Sequence, residues 1–491
     1  MSDLPNGWCW TTVGRVTSRI ETTDPKHQPT KSFTYVNIGS IDNSTHTIVD
    51  PKTLLGAEAP SRARQALRVG DTVFSTVRTY LRNIGYIDSS LDGAIGSTGF
   101  SVLRPAHRVN SRYLYYYSLT NRFVDGLSAQ MRGTSYPAVV DSQVREMDFP
   151  LAPTAEQGRI VAAIEEQLSR LDAGVAALGR VRQNLKGMRA AVLHAAVTGR
   201  LAVQDASEGT GADLLAAIKL DGRRASRRTG VLITQMPPLP QSWTTATWSA
   251  VGWSQNGRAF PSADYTAAAG TRLLRPGNLY ASGRVGWTAA NTRCLPEHYA
   301  SEFPSYLVGP NEIVINLTAQ SLKDEFLGRV CMTGPRDESV LLNQRIARLT
   351  PVGLNLRFVF YVLKSPLFRR FVDQLNTGSL IQHMFTSQLD QFILPIPPRG
   401  EQDRIVERIE GCLASLDHLD DVVVRIGKLV PVLRSAILTA AFSGRLASQD
   451  PTDESASALL ERIASERASY NGHRPGRSAR KPRLLREAGT A

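Results

Sequence analysis

The string AEQGRIV at residues 155–161 returns as GEQDRIV at 400–406, and TGRLAVQD at 198–205 returns as SGRLASQD at 443–450. Both pairs lie 245 residues apart, and the same register holds over about a hundred positions. A register of this length predicts an internal duplication. A protein with a two-fold repeat presents two similar surfaces at a set separation, which suits a long polymer with paired sites.

A long apolar stripe follows each of the repeated strings. Apolar residues recur every three or four positions over 160–195 and again over 405–440. This period indicates two long helices with coiled-coil seams, and a glycine follows each stripe, Gly199 and Gly444. We expect the helices to pack against each other antiparallel; in the alternative, each stripe docks on its own globular domain. Pro431 is expected to kink or split the second helix.

A mixed segment precedes each helix. Turn signals and β-formers predict strands, and three-to-four spacing of apolar residues predicts helices. The strands are predicted at 70–75, 99–104, 311–317 and 344–351, and the helices at 111–130 and 355–375. The glycine-rich stretch Gly93–Gly99 is predicted to be a turn rather than a nucleotide site, because no strand–turn–helix setting surrounds it.

These elements predict an α+β fold with an internal two-fold repeat. Two globular α/β domains are separated by two long antiparallel coiled-coil helices. The expected organisation is a first globular domain at 1–150, a helix at 151–205, a short helix and basic linker at 206–236, a second globular domain at 237–395, a helix at 396–450, and a short helix with a basic disordered tail at 451–491.

The composition favours a polyanionic partner. The chain has 491 residues with a formal net charge of +13 and a pI near 9.8, which is typical of nucleic-acid binding. Four scattered cysteines form no CxxC pair, so a disulfide framework or metal site is not expected. No secretory signal and no apolar run long enough for a membrane span occur in the sequence. We therefore expect a cytoplasmic protein.

Catalytic motifs are missing from the sequence. It contains no GxxxxGK[ST] phosphate loop, no HExxH and no GxSxG. It also lacks the Asn/Asp-Pro-Pro-Tyr/Phe tetrapeptide with which amino-methyltransferases hold a flipped base. The residues therefore indicate a binding protein without catalytic or metal-ligating residues.

The strings at the helix ends are the most specific ones in the chain. Pro-x-x-Glu-Gln-x-Arg-Ile-Val occupies Pro153–Val161 and Pro398–Val406, and Ser/Thr-Gly-Arg-Leu occupies 198–201 and 443–446. Together with the duplication, they resemble the specificity subunits of type I restriction–modification enzymes. The resemblance covers nearly the whole chain.

Strings in the globular segments are similar to target recognition domains of that family. One is FSTVRTYLRNIG at 74–85, followed by STGFSVLRP at 97–105. Another is INLTAQSLKDEFLGRV at 315–330, followed by NQRIARL at 343–349.

The resemblance implies a non-catalytic subunit that binds double-stranded DNA. Each recognition domain would read one half of a bipartite, asymmetric target, and the helices would hold the two domains apart. The subunit would scaffold two adenine-N6 methyltransferase subunits and two restriction subunits. No cofactor is expected on this chain, because S-adenosylmethionine, ATP and Mg²⁺ would belong to those partners.

Side chains that can contact base edges cluster after the predicted strands and around two glycines. Arg, Asn and Gln make bidentate pairs with bases, and aromatic rings stack. The first-domain candidates are Arg78, Tyr80, Arg82, Asn83, Arg132, Thr134, Ser135 and Tyr136. The second-domain candidates are Gln320, Lys323, Asn343, Gln344, Arg345, Thr377, Ser379, Gln382 and His383. Candidate phosphate contacts are Arg62, Arg64, Arg68, Arg272 and Arg275.

Other functions stay open at this point. A fused restriction–methylation enzyme would need catalytic portions that this sequence lacks. A non-catalytic DNA-binding scaffold or regulator outside restriction–modification is the main alternative, and a pure scaffold with an incidental basic surface is another.

Overall fold

A computed structural model describes residues 4–218, 236–267, 269–319, 326–375 and 382–472. The chain divides into two compact units. The first unit comprises Met1–Ala177 and Arg425–Ala491, and the second comprises Leu178–Val424. The basic linker predicted at 221–230 and nearly all of the tail predicted at 471–491 lie outside the described residues.

Helices account for the longest elements of the chain. In chain order they are α1 (Val13–Val16), α2 (Ser111–Ser118), α3 (Asn121–Ser128), α4 (Asp141–Glu146), α5 (Thr154–Val197), α6 (Gly211–Ala217), α7 (Trp248–Val251), α8 (His298–Glu302), α9 (Leu356–Lys364), α10 (Pro366–Gln374), α11 (Thr386–Leu389), α12 (Arg399–Ala441) and α13 (Ala456–Gly472). Short 3-10 turns lie at Pro25–His27, Ile38–Ser40, Gly56–Glu58, Thr79–Leu81, Ser89–Leu91, Ala206–Glu208, Ser262–Asp264, Pro276–Asn278 and Pro304–Tyr306.

Strands of two to six residues make up the sheets. In the first unit they are β1 (Cys9–Thr12), β2 (Thr17–Ser18), β3 (Ser32–Val36), β4 (Ile41–Asp42), β5 (Thr47–Ile48), β6 (Lys52–Leu55), β7 (Ala63–Ala66), β8 (Thr72–Ser75), β9 (Ile84–Tyr86), β10 (Ile95–Ser97), β11 (Phe100–Pro105) and β12 (Asp148–Leu151). In the second unit they are β13 (Thr244–Thr247), β14 (Gly252–Asn256), β15 (Thr271–Leu274), β16 (Cys294–Leu295), β17 (Leu307–Val308), β18 (Ile313–Asn316), β19 (Thr318–Ala319), β20 (Val330–Met332), β21 (Val340–Leu342), β22 (Ile346–Pro351), β23 (Gln382–His383) and β24 (Ile393–Ile396). The mixture of helices and sheets confirms the predicted α+β class.

The first unit contains two four-stranded sheets, in the orders β6-β3-β10-β7 and β2-β11-β8-β9. Only the β3–β10 pair within them is parallel. Their buried faces carry β-branched and aromatic residues, including Val36, Val73 and Phe100. The separate pair β1–β12 joins the start of the domain to the segment that leads into α5.

The second unit contains sheets of corresponding order, β16-β15-β21-β17 and β14-β22-β18-β20. Here the parallel pair is β15–β21, and β13 pairs with β24 before α12 begins. Leu274, Val314 and Ile346 lie in its core. Each unit therefore builds its sheets in the same way from different residues.

The core of the first unit includes the C-terminal part of the chain. Phe442 follows α12 and lies 4.9 Å from the ring centroid of Tyr113 and 5.1 Å from that of Tyr117. Leu459 and Ile463 of α13 are buried in the same cluster. Residues far beyond the first globular segment thus complete its hydrophobic core.

The second unit uses the end of α5 in the corresponding way. Leu193, Ala196 and Val197 are buried in one cluster with Trp243 and Trp248. The N-terminal turns of α12 also enter this cluster. Both long helices therefore bury their two ends in the globular cores. The coiled-coil prediction from the apolar stripe did not include this packing.

The middle of the apolar stripe is more exposed than a continuous seam requires. Val175, Val181 and Met188 of α5 are exposed, as are Ile426 and Leu433 of α12. The apolar stripe therefore includes exposed positions, since a period of three to four marks an apolar face without determining what covers it.

Ion pairs connect the two long helices within each unit. In the second unit Arg182 lies 3.3 Å from Asp420, and Arg189 lies 2.7 Å from Asp417. In the first unit Arg434 pairs with Asp172. Exposed pairs of this kind contribute at most about 1 kcal/mol each to stability. They therefore show how the two helices are aligned but stabilise them little.

A buried carboxylate fixes the start of each long helix. The indole Nε1–H of Trp8 donates to Glu156 Oε2 at 2.9 Å, and that of Trp243 donates to Glu401 Oε2 at 2.9 Å. The other carboxylate oxygen of each glutamate is buried without a hydrogen-bond partner among the described residues. Burial raises the pKa of both carboxyl groups, and the indole hydrogen bond lowers it by less.

The glutamine that follows each glutamate connects the helix to the preceding domain. Gln157 accepts from the backbone N–H of Asn110 at 2.8 Å and donates to the carbonyl of Ala152 at 2.8 Å. Gln402 makes the corresponding bonds with Asn355 N–H and the carbonyl of Pro397. Both glutamine side chains are buried, so the helix start is fixed by hydrogen bonds as well as by packing.

Two helix predictions need correction. The helix predicted at 111–130 is two helices, because the hydroxyl of Thr120 accepts from Phe123 N–H and starts α3. The helix predicted at 355–375 is also two helices, because Pro366 cannot donate a backbone hydrogen bond and starts α10.

Two further predictions need correction. Residues Ile95–Ser97 of the predicted turn Gly93–Gly99 form β10, where a Cβ on Gly96 would come within 3.4 Å of Leu67. Of the two expected effects of Pro431, a split does not occur, since α12 is continuous through it, and a kink stays a prediction. One lost hydrogen bond and a local clash cost about 3 kcal/mol, and the buried Leu438 and Ala441 hold the following turns in place.

We expect Phe442→Ala to destabilise the first unit by about 3–5 kcal/mol, because it removes a buried ring. Hydrogen exchange should then show faster exchange of core amides at residues 100–150. The matched variant Val197→Ala should instead speed exchange in the core of the second unit. Equal effects of Phe442→Ala on both units would contradict this division of the core.

We expect the buried carboxyl of Glu156 to make stability depend on pH. Its folded-state pKa lies above the ordinary value of 4.5. As pH rises above that value, the unfolded chain loses its proton first, so the free energy of unfolding falls until the folded carboxyl ionises. Glu156→Gln should remove this fall while keeping the acceptor for Trp8. Denaturant midpoints between pH 4.5 and 8 test this; an unchanged slope in the variant would contradict it.

Candidate nucleic-acid interface

A short turn after β8 carries the first group of predicted contact residues. The 3-10 turn Thr79–Leu81 lies between Arg78 and Arg82, whose φ angles are +49° and +55°. Left-handed backbone costs an L-residue with a side chain about 1–2 kcal/mol. Tyr80, at the centre of the turn, is 52% exposed. Strain of this kind clusters at functional sites.

The two arginines of this turn differ in what they contact. Arg82 donates to the carbonyl of Leu119 at 3.0 Å and to Asn121 Oδ1 at 2.6 Å, and it lies 3.8 Å from Asp125. Its guanidinium thus ties the turn to α3. Arg78 is exposed and makes one long side-chain bond of 3.3 Å, to the carbonyl of Ser135.

A second loop lies beside this turn. Arg132 and Ala138 exchange two backbone hydrogen bonds of 3.0 Å, which close a loop whose Gly133 has a φ of +103°. Arg78 N–H donates to the carbonyl of Pro137 at 2.8 Å, and the Arg78 guanidinium lies 5.4 Å from the ring centroid of Tyr136. The structure therefore brings together predicted residues that lie more than 50 positions apart.

The exposure of these residues separates surface positions from supporting ones. Tyr136 is 75% exposed. Arg132, Thr134 and Ser135 are exposed as well, whereas Asn83 is half-buried and its carbonyl accepts from Ser75 N–H.

The second unit has a corresponding arrangement. Leu317 N–H donates to the carbonyl of Arg345, and the Leu317 carbonyl accepts from Met384 N–H, both at 2.9 Å. The short pair β19–β23 aligns Thr318 with His383. The loop that contains Arg345 and the segment that contains His383 therefore lie side by side.

Predicted residues of the second unit fall into three groups. Gln344 and Arg345 are exposed in the turn between β21 and β22, and His383 is exposed with its ring centroid 4.6 Å from that of Phe385. Asn343 is buried, and its side chain accepts from Arg345 N–H at 3.1 Å, so it supports the turn. Predicted residues outside the described residues are Gln320, Lys323, Thr377, Ser379 and the side chain of Gln382.

Most of the predicted phosphate contacts already have partners in the protein. Arg64 pairs with Asp24 at 2.9 Å and Arg68 with Glu21 at 2.8 Å. Arg62 is exposed, and no salt bridge to it is found within the described ranges. Among the three predicted phosphate contacts of the first unit, Arg62 is therefore the one without a salt bridge within the described residues.

The phosphate candidates of the second unit lie against aromatic rings. Arg272 lies 5.5 Å from the ring centroid of Trp287 and 4.0 Å from Glu338. Arg275 lies 5.7 Å from the ring centroid of Tyr265. Ring contacts of this kind hold a guanidinium in place while leaving some of its donors available.

Two exposed apolar residues at these surfaces are absent from the sequence-based set. Val140 is 60% exposed and Phe385 is 59% exposed, each immediately before a short helix. Gln143 and Gln388 accept from their backbone N–H groups, both at 2.9 Å. The two positions are 245 apart, so the repeat register contains the signal, which the sequence-based set did not use.

Among the residues that the structure describes, no group of three or more His, Cys, Asp or Glu side chains is arranged to hold a metal ion. None of the helices formed by these residues is long and apolar enough to cross a membrane.

Residues 254–418 match the family model of the type I restriction modification DNA specificity domain. The chain is 22% identical over 482 residues to the specificity subunit of the type I restriction enzyme EcoAI from Escherichia coli, covering 86% of this chain and 80% of that subunit. It is 25% identical over 384 residues to the EcoBI specificity subunit of Escherichia coli, covering 75% and 74%.

Solved structures agree with the sequence comparisons. The HsdS subunit from Thermoanaerobacter tengcongensis is similar with a TM-score of 0.54 and 25% identity, covering 90% of this chain and 98% of that one. A chain from a structural study of assembly and conformational transition of the type I restriction–modification system gives a TM-score of 0.64 at 25% identity, covering 91% and 100%.

Residues 254–418 thus match a type I DNA specificity domain, and most of the chain is similar to type I specificity subunits. The resemblance inferred from the helix-end strings is thereby confirmed. Specificity subunits are non-catalytic, and the family implies recognition of a DNA target by this chain. They act together with methyltransferase and restriction subunits.

We expect Arg82→Ala to destabilise the first unit by about 1–3 kcal/mol, because charged hydrogen bonds to Leu119 and Asn121 are lost. Arg78→Ala is the matched control. Both residues have positive φ, so alanine has a similar backbone cost at each. The difference in stability between the two variants therefore measures the contribution of the side-chain contacts. Thermal unfolding measures both variants, and equal destabilisation by the two would show that Arg82 does not hold the turn.

Proposed function

We propose that this chain reads a bipartite, asymmetric DNA target, with one half-site bound by each unit. The observation that carries this proposal is the shared architecture of the two candidate surfaces. In each unit, the residue that follows one sheet strand connects two loops by backbone hydrogen bonds. Thr76, which follows β8, bonds to Gly99 and Val139. Leu317, which follows β18, bonds to Arg345 and Met384. These loops present exposed arginine and aromatic side chains.

The residue chemistry of these loops fits DNA. Arg78, Arg132 and Arg345 supply fork-shaped donors that match guanine edges or phosphates. Tyr136 and Phe385 supply exposed apolar surface for base or sugar contact. Because the two surfaces carry different side chains, the two half-sites differ, and the target is asymmetric.

We propose further that α5 and α12 form an antiparallel coiled coil that spaces the half-sites and reflects an internal two-fold repeat. The ion pairs support this, since Arg182 and Arg189 meet Asp420 and Asp417 in opposite chain order. Helices of 44 and 43 residues are roughly 65 Å long at about 1.5 Å per residue.

The chain would serve as the scaffold of a cytoplasmic complex with two methyltransferase and two restriction subunits. The exposed apolar side chains in the middle of the long helices, such as Val181 and Met188, support a protein partner there. S-adenosylmethionine, ATP and Mg²⁺ would bind to those partners, and this chain would supply the DNA contacts.

The proposal is tested by exchanging one recognition domain. Residues 13–147 are replaced by the same segment of a relative, so that the β1–β12 pair, the Trp8–Glu156 bond and the bond of Gln157 to the Ala152 carbonyl stay native. Sequencing of methylated adenines in host DNA should show one half of the motif changed and the other half retained. The reciprocal exchange of 248–392 should change the other half.

Two results would count against the proposal. A change of both halves after one exchange would contradict separate half-site recognition. A complex that binds duplex DNA without any preferred motif, with methyltransferase subunit present, would instead indicate a scaffold with an incidental basic surface.

A further inference from the structure

Two adjacent apolar side chains stand out on the first candidate surface. Tyr80 and Leu81 occupy the second and third positions of the 3-10 turn Thr79–Leu81, and both are exposed. An exposed tyrosine–leucine pair at the tip of a turn does not contribute to the core. Its position needs another explanation.

The turn that carries the pair is held rigidly. Leu81 N–H donates to the Arg78 carbonyl and Arg82 N–H to the Thr79 carbonyl, both at 2.9 Å. The Thr79 hydroxyl, which is buried, lies 2.8 Å from the Ser128 hydroxyl of α3. With a residue of positive φ on either side, the backbone has little freedom to retract the two side chains.

The positive charges near the pair favour a polyanionic ligand. The exposed Arg78 and Arg132 lie on the same surface, and Arg78 contacts the ring of Tyr136. The chain as a whole carries a net charge of +13. A rigid apolar tip next to cationic side chains fits DNA, where a wedge can enter between base pairs while arginines bind the phosphates.

We propose that Tyr80 and Leu81 form a wedge that enters between two neighbouring base pairs of the first half-site and partly unstacks them. Arg82 is the positioning residue, because its bonds to Leu119 and Asn121 hold the turn against α3. Unstacking is unfavourable, so the wedge must be preorganised before binding. The wedge rests on the proposed function and adds recognition of how easily one base step deforms.

The test uses the complex of the full chain with its methyltransferase subunit. The probe is a duplex containing the motif found by methylation sequencing, with 2-aminopurine placed in turn at each position of the first half-site. Binding should raise the fluorescence at one step, since unstacked 2-aminopurine is brighter. Tyr80→Ala and Leu81→Ala should each reduce that rise and weaken binding about 10- to 100-fold.

Three further variants separate the wedge from a general effect on the surface. Tyr80→Phe keeps the ring and should retain most of the rise. Arg82→Lys keeps the charge but loses the pair of hydrogen bonds to Leu119 and Asn121. The rise in fluorescence should therefore be smaller, while the affinity for random-sequence duplex stays constant. Val49→Ala, at another exposed apolar position of the first unit, should leave both readouts unchanged.

The outcomes distinguish the wedge from the proposed function. If the wild-type complex binds the motif and no position brightens, or if Tyr80→Ala and Leu81→Ala bind as the wild type does, the wedge is wrong and half-site recognition stands. If the wild-type complex shows no preference for the motif, the proposed function itself fails. If Tyr80→Ala releases the methyltransferase subunit without changing base stacking, the pair contacts a protein and the wedge is wrong.

Discussion

The buried hydrogen bond between an indole and a glutamate at the start of each long helix is the contact on which the rest of the architecture depends. Trp8 belongs to the beginning of the first domain and Glu156 to the first turn of α5. A buried carboxylate is unfavourable unless it is hydrogen-bonded, so turning the domain relative to the helix is unfavourable when it breaks this bond. The same bond between Trp243 and Glu401 fixes α12.

This contact explains why the string Glu-Gln-x-Arg occurs twice. The glutamate accepts from the tryptophan indole, and the glutamine accepts from the backbone N–H of the asparagine just before α2 or α9. The arginine reaches the segment after the other long helix: Arg159 pairs with Asp453, and Arg404 pairs with Glu208. Three neighbouring side chains thus bind three different parts of one unit, and truncating any of them to alanine would leave a buried or charged partner unpaired.

Periodicity and glycines were sufficient to predict the long helices and their ends, since Gly199 and Gly444 both have a φ of +69°. They were insufficient to predict what the helix ends pack against, because Phe442, just beyond the stripe, packs against Tyr113 and Tyr117 of the first globular segment. The candidate site shows the same limit. Residue type identified Arg78 and Arg82 equally, and only their contacts with Ser135 and with α3 distinguish a surface donor from a supporting one.

The sheets allow the two candidate surfaces to differ without changing the strand pairing beneath them. The paired residues Ser75 and Phe100 lie 25 positions apart, whereas their counterparts Asn316 and Ile346 lie 30 apart. The extra residues belong to the connection between strands, and the strand pairing itself is the same in both units. Because loop length costs little free energy, the connecting loops can change in sequence and length while the hydrogen bonds beneath them persist. The exposed loop residues can therefore vary while the hydrogen bonds at the two helix starts remain unchanged.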